Sequence, residues 1–203
     1  MSRLLAFGGA FNPPSAAHIA CADCARIQAG YDEVMFIPSK MTYIRNVQKK
    51  DYAFSDEQRL AMLRKIAENR PWMKVTDYEL TRTEQPRTYE TLRMLWQGGY
   101  SPSLLIGSDK LPELETGWKY VEEIAHEFGI VVMTRNHEDC RSMIENNAYL
   151  STLSRYITVV ETPEKYQDVS SSAIRQLVTE IHDAKQRLSE LVPEELEGLK
   201  EYL

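Results

Sequence analysis

A chain of 203 residues, 43% hydrophobic and 27% charged, has the balance of a globular protein with room for one ordinary core. Its net charge of −6 argues against a broad nucleic-acid footprint, so any anionic ligand must be met by a local cluster of donors. No apolar run approaches the roughly 18 residues that cross a bilayer, and Met1-Ser2-Arg3 leads into a short apolar stretch rather than a signal peptide. A cytoplasmic protein without a membrane partner is therefore expected.

Leu4-Leu5-Ala6-Phe7 reads as a buried strand, followed by the turn Gly8-Gly9-Ala10-Phe11-Asn12-Pro13-Pro14-Ser15 and by a helix from near His18 to Ala29, stopped at Gly30. Adjacent glycines let a ligand approach the backbone where a Cβ would collide, and a helix start offers unpaired N–H groups suited to phosphate. His18 at the turn's exit reads either as a helix-cap histidine or as a ligand contact. Cys21 and Cys24 have redox or zinc spacing, but only Cys140 remains to complete a site, so they read as small core residues and no metal site is expected. Val34–Ile37 is a second buried strand, completing a βαβ unit.

The polar segment from Ser39 to Ala53 follows, long for a connection in a compact domain. Its cations Lys40, Arg45, Lys49 and Lys50 either form a solvated charge run or meet phosphates. Ser55-Asp56-Glu57-Gln58 is a capping-box pattern opening a helix with Leu60, Leu63, Ile66 and Ala67 on one face. A strand is expected from about Met73 to Leu80, a helix over Thr88–Trp96, and a buried strand at Leu104–Ile106 ending in Gly107-Ser108-Asp109. Helix Tyr120–Phe128, strand Gly129–Met133, the turn Thr134-Arg135-Asn136, helix Arg141–Leu153 and strand Tyr156–Val160 come next. Two helices close the chain, one after Ser170 and one from Pro193.

Regular alternation of strands and helices, without repeat or linker, predicts a single α/β domain over residues 1–203, an open and mostly parallel sheet covered by helices on both faces. Ligands in such sheets bind outside the carboxyl ends of the strands. Gly8-Gly9, Pro38-Ser39, Gly107-Ser108-Asp109 and Thr134-Arg135 should then share one edge. Ser170-Ser171-Ser172-Ala173-Ile174-Arg175 precedes the helical stripe Ile174, Leu177, Val178 and Ile181. Its serines suit a cap with further hydroxyls facing an anion, and Arg175, poorly placed for the helix dipole, gains from an anionic ligand or else lies in solvent.

The turn from Gly8 to His18 resembles the first signature of the nucleotidyltransferase superfamily, Gly-Gly-x-Phe-[Asp/Asn]-Pro-x-[His/Thr]-x-Gly-His, with Ser15 at the first histidine or threonine and Ala17 at the glycine. Val169 to Arg175 resembles the second, Ile-Ser-Ser-Thr-x-Ile-Arg. Between them, Lys49-Lys50 with Arg59-Leu60-Ala61-Met62-Leu63, Asp77-Tyr78-Glu79-Leu80, Thr88-Tyr89-Glu90-Thr91-Leu92, Ile106-Gly107-Ser108-Asp109, Trp118 and Leu191-Val192-Pro193 are similar to segments of the bacterial nicotinate (nicotinamide) mononucleotide adenylyltransferases. Asn46-Val47-Gln48 departs from that family's Pro-Pro-His, and Arg87 from its tyrosine.

The resemblance implies a Rossmann-like nucleotidyltransferase fold with C-terminal helices from about residue 170. The implied reaction joins a nicotinate or nicotinamide mononucleotide to the AMP moiety of ATP, releases pyrophosphate in NAD biosynthesis, and uses Mg²⁺ bound with ATP by phosphates and water. His18 is implied at the α/β-phosphates, and Ser171, Ser172 and Arg175, with Ser170 and Ile174, at the β/γ-phosphates. Gly8, Gly9, Ala10, Phe11, Asn12 and Ser15 line the nucleotide, and Gly107 and Asp109 reach the adenosine ribose. Thr88 and Trp118 hold the pyridine nucleotide, Lys49 closes over phosphates, and Arg135 is a further contact; Trp118 also reads as an ordinary half-buried aromatic. The loss of charge at Ser15 leaves open a nucleotide-binding paralogue with little transferase activity, and phosphopantetheine adenylyltransferase is a second enzymatic alternative.

Overall fold

The computed structural model describes residues 1–46, 54–135, 137–166 and 191–196. Six strands form one sheet: β1 (Ser2–Gly9), β2 (Glu33–Pro38), β3 (Met73–Val75), β4 (Tyr100–Gly107), β5 (Ile130–Met133) and β6 (Ile157–Val160), in the order β3-β2-β1-β4-β5-β6. β1 pairs β4 in parallel with Phe7 opposite Leu105, β4 pairs β5 with Gly107 opposite Met133, and β5 pairs β6 with Met133 opposite Val160. Leu4–Phe7, Val34–Pro38, Pro102–Ile106 and Ile130–Met133 are buried at every successive position. Side chains alternate between sheet faces, so such runs require helical cover on both. The expected open α/β sheet is present, and its order reverses between β1 and β4, where sheets of this kind take ligands.

Eight α-helices are described: α1 (Ala16–Ala29), α2 (Met41–Asn46), α3 (Asp56–Ala67), α4 (Thr88–Gln97), α5 (Leu111–Thr116), α6 (Val121–Phe128), α7 (Cys140–Glu145) and α8 (Ala148–Leu153). α1 begins at Ala16, so His18 sits inside its first turn rather than at its entrance. The strand expected over Met73–Leu80 stops at Val75, and the chain turns instead, Thr81 N–H donating to Asp77 O at 3.0 Å. The helix expected over Arg141–Leu153 is two, because Asn147 caps a new start, its Oδ1 accepting the Leu150 N–H at 2.8 Å. From the expected helix at Pro193 a single 3-10 turn, Glu194–Leu196, is described; the helix expected after Ser170 lies outside the described residues.

The chain divides into two interleaved compact units. The first takes Met1–Phe7, Cys21–Met35 and the described residues from Pro86 to Tyr166, and its core joins Leu4 and Leu5 with Leu92, Leu105, Ile124 and Val132, all buried. The second takes Gly8–Ala20, Phe36–Gln85 and residues 191–196; Phe11, Phe36, Ile44, Phe54, Met62, Leu63, Ile66 and Leu196 are each at most 2% exposed. The α3 stripe is Arg59, Met62, Leu63 and Ile66, rotated from the expected Leu60, Leu63, Ile66 and Ala67, so that an arginine occupies an apolar position. Arg70 holds Glu195 by an ion pair beside α3.

Cys21 is buried, and burial pushes its thiol up to about 11. Cys24 Sγ accepts from Gln28 Nε2 at 2.9 Å, and Gln28 also donates to Glu161 O at 2.7 Å. A thiol so far above the ordinary range is neutral and unreactive at neutral pH, which supports the reading of Cys21 as a packing residue.

Candidate active site

Parallel pairing puts the carboxyl ends of β1, β4 and β5 at one sheet edge. Within the second unit, Ser39 N–H donates to Gly9 O at 2.9 Å, which joins the turns after β1 and β2. Within the first, the turns after β4 and β5 follow paired parallel strands. Within the second unit, Gly8 is exposed, and a Cβ there would meet no atom of the described residues within 4 Å. A Cβ on Gly9 would instead lie 3.1 Å from Phe11 Cζ. Phe11 adopts φ 42 and lays its ring against Phe36 (centroids 5.4 Å apart) and edge-on to His18 (5.2 Å, interplanar angle 73°). Asn12 is buried after the same bend, its Oδ1 accepting the Phe54 N–H at 2.9 Å; the Asn12-Pro13 peptide is cis.

Ser15 stands immediately before α1 and is 1% exposed. Its carbonyl accepts the Ile19 N–H at 3.3 Å, and its Oγ accepts the His18 N–H at 3.2 Å. His18 Nδ1 in turn lies 3.0 Å from the Ser15 N–H and 2.7 Å from Ser15 Oγ. This is a capping box in which an imidazole takes the place of the usual Glu or Gln carboxamide. Ala17, where the resembled signature has glycine, is 6% exposed, so its methyl group is absorbed by the core.

A residue outside the expected site holds this loop in place. Arg59 is fully buried, donating from Nη1 to Ala10 O (2.7 Å), from Nη2 to Ser39 O (2.6 Å) and from Nε to Phe54 O (3.2 Å), and pairing with Asp56. Burial lowers its pKa, and Asp56 opposes that shift. Asp56 Oδ1 also accepts the Met41 N–H at 2.7 Å. One guanidinium thus joins the ends of β1 and β2 to the entrance of α3. Its signal in the sequence is the arginine at helical spacing with Met62, Leu63 and Ile66. Lys40 does not wait for a phosphate, since its Nζ donates to Leu80 O at 2.8 Å and Arg82 O at 2.5 Å.

In the first unit, the turn after β4 is shaped by Gly107, because a Cβ there would come within 2.5 Å of Asp109 Oδ1. Asp109 is exposed, with Lys110 Nζ 3.6 Å from its Oδ2. Burial works against the charge on Lys110, but Glu113, at 2.7 Å, and Asp109 raise its pKa. Ser108 is buried, hydrogen-bonded to Glu138 and donating to Arg135 O at 3.3 Å, which ties the turns after β4 and β5. Arg135 is half-buried in the second of these turns. Thr88, the first residue of α4, and Trp118, between α5 and α6, are half-buried as well.

Gly8, Gly9, Ala10, Phe11, Asn12, Ser15 and His18 are thus gathered on one loop and helix start, and Gly107, Asp109 and Arg135 on two turns linked through Ser108. Lys49, Ser170, Ser171, Ser172, Ile174 and Arg175 lie outside the described residues. Among the described residues no group of three or more His, Cys, Asp or Glu could hold a metal ion, and no helix is long and apolar enough to cross a membrane.

Residues 6–177 match the model of the cytidylyltransferase-like family. The chain is 32% identical over 194 residues to a probable nicotinate-nucleotide adenylyltransferase of Carboxydothermus hydrogenoformans, covering 94% of this chain and 90% of that protein. It is 31% identical over 197 residues to one of Nitratiruptor sp., covering 96% of each. Among solved structures, Plasmodium falciparum nicotinic acid mononucleotide adenylyltransferase complexed with APC aligns with a TM-score of 0.75 at 16% identity, over 100% of this chain and 98% of that one. The same enzyme complexed with NaAD aligns with a TM-score of 0.74 at 17% identity, over the same shares.

Proposed function

This chain belongs to the cytidylyltransferase-like family, and on that premise we propose that it is a nicotinate-nucleotide adenylyltransferase of NAD biosynthesis. The phosphate of nicotinate mononucleotide attacks the α-phosphorus of ATP, a new P–O bond forms, the bond between the α-phosphorus and the bridging oxygen breaks, and pyrophosphate leaves. The nucleophile is already an anion, so catalysis needs alignment and charge stabilisation more than a general base.

The observation that carries the reading is the segment after β1. There a bare Gly8 backbone with open space beside it leads to a helix whose first turn presents His18. Open space at a glycine that no neighbour among the described residues requires is what close approach of a phosphate needs. His18 is assigned to the α/β-phosphates. Gly8 to Asn12 shape the nucleotide loop, with Arg59 holding the Ala10 carbonyl from behind. Gly107 and Asp109 are assigned to the adenosine ribose, whose hydroxyls a carboxylate accepts. Thr88, Trp118 and Arg135 are assigned to the pyridine nucleotide, Lys49 to closure over the phosphates, and Ser170, Ser171, Ser172, Ile174 and Arg175 to the β/γ-phosphates.

ATP is taken as its Mg²⁺ complex, the ion held by phosphate oxygens and water. The reaction is placed in the cytoplasm, in keeping with three free cysteines. Pyrophosphate release with MgATP, compared across nicotinate mononucleotide, nicotinamide mononucleotide and phosphopantetheine, tests the assignment. Turnover with nicotinate mononucleotide, lost in His18→Ala, is expected. Turnover with phosphopantetheine alone, or none with tight ATP binding, contradicts it.

A further inference from the structure

We infer that Ser15 is not a phosphate ligand standing in for a missing histidine but the positioning residue that fixes the tautomer of His18. A backbone N–H can only donate, so the Ser15 N–H, 3.0 Å from His18 Nδ1, requires the lone pair on that nitrogen. The Ser15 hydroxyl, 2.7 Å from the same atom, then donates to it as well, while its oxygen accepts the His18 N–H at 3.2 Å. Two donors on Nδ1 place the proton of the neutral ring on Nε2. The Phe11 ring, edge-on at 5.2 Å, fixes the plane. His18 is thereby held as a hydrogen-bond donor through Nε2, the form a phosphate oxygen accepts. Ser15 is 1% exposed and each of its polar groups is engaged within its own helix turn, which leaves it unable to reach a nucleotide.

The tautomer stands on geometry alone; its consequence for turnover rests on the adenylyltransferase reading. The test is long-range proton–nitrogen NMR of the full ¹⁵N-labelled chain at a pH where the ring is neutral. The chain has 4 histidines, and His18 is assigned with a His18→Asn variant. The wild-type ring is expected as Nε2–H. Ser15→Ala keeps the backbone N–H on Nδ1 but loses the hydroxyl, so the Nε2–H form is expected to persist in a smaller share and kcat to fall by up to about tenfold, with KM for ATP within about twofold, the worth of one lost orienting hydrogen bond. Ser15→Thr keeps the hydroxyl and should restore both. Ser15→His puts an imidazole into a buried serine site and should lower turnover.

An Nδ1–H or evenly mixed wild-type ring overturns the proposal. So does an Ala variant whose tautomer share and turnover both match the wild type, or a His variant that gains activity. If Ser15→Ala does not fold, the wild-type and Thr spectra decide. Absence of turnover in a wild-type chain that still shows the Nε2–H form would count against the adenylyltransferase reading and for this tautomer.

Discussion

Among the described residues, a methyl group added at Gly8 would meet no atom within 4 Å, whereas one added at Gly9 would fall 3.1 Å from the Phe11 ring. The two adjacent glycines therefore answer to different demands: the fold requires the second, and the proposed phosphate contact concerns the first. Gly8→Ala should keep or slightly raise stability, by up to ~1 kcal/mol through the unfolded chain. It should nevertheless lower kcat/KM for ATP by at least about tenfold, since a lost or displaced charge-stabilising contact is worth ~10²–10³ at most. Gly9→Ala should instead cost about 1–3 kcal/mol in urea unfolding by displacing the ring. Wild-type activity in Gly8→Ala would remove the phosphate from that backbone. Arg59 makes the same distinction between holding and touching. It is fully buried on three carbonyls and Asp56, so Arg59→Met should cost about 3–5 kcal/mol by stranding Asp56 and those acceptors. A loss below ~1 kcal/mol would show that the loop holds itself.

At the scale of elements, what could be read from the chain was whatever its near neighbours decide. The capping box at Ser55 is local, with Oγ accepting the Gln58 N–H at 3.2 Å and Gln58 Oε1 accepting the Ser55 N–H at 2.8 Å, and α3 begins where that pattern puts it. Ser55→Ala should cost ~1 kcal/mol. Ser15 forms the same box, and the usual pattern does not reveal it because its partner three residues on is histidine rather than Glu or Gln. β3 was overextended for a different reason. Past Val75 the alternation is only partial, its apolar positions slipping register from Met73 and Val75 to Tyr78 and Leu80, and Lys40 bonds the carbonyls of Leu80 and Arg82 from 40 residues away in sequence, a donor that only the fold brings there. The break between α7 and α8 is legible in Asn146-Asn147, the cap of each helix, although apolar spacing runs on across it. Asn147→Ala should cost ~1 kcal/mol by removing the α8 cap, which a urea titration would register.

For the whole molecule, alternation of buried strands with helices specified the open parallel sheet. The core adds a pH dependence of its own. Burial holds the Cys21 thiol at about 11 against an ordinary 9.0. Its folded pKa is raised, so its contribution is full below pH 9 and is lost as pH rises towards 11. Between those values wild-type stability should fall more than that of Cys21→Ala, by at most about 3 kcal/mol; parallel curves would show that the thiol ionises freely. The central claim concerns which bond of ATP is broken. Phosphorus NMR of the wild-type chain with MgATP and nicotinate mononucleotide reads it directly. The account predicts pyrophosphate and a dinucleotide appearing in equal amounts, both absent with His18→Ala. ADP with inorganic phosphate, or unchanged ATP, would contradict it.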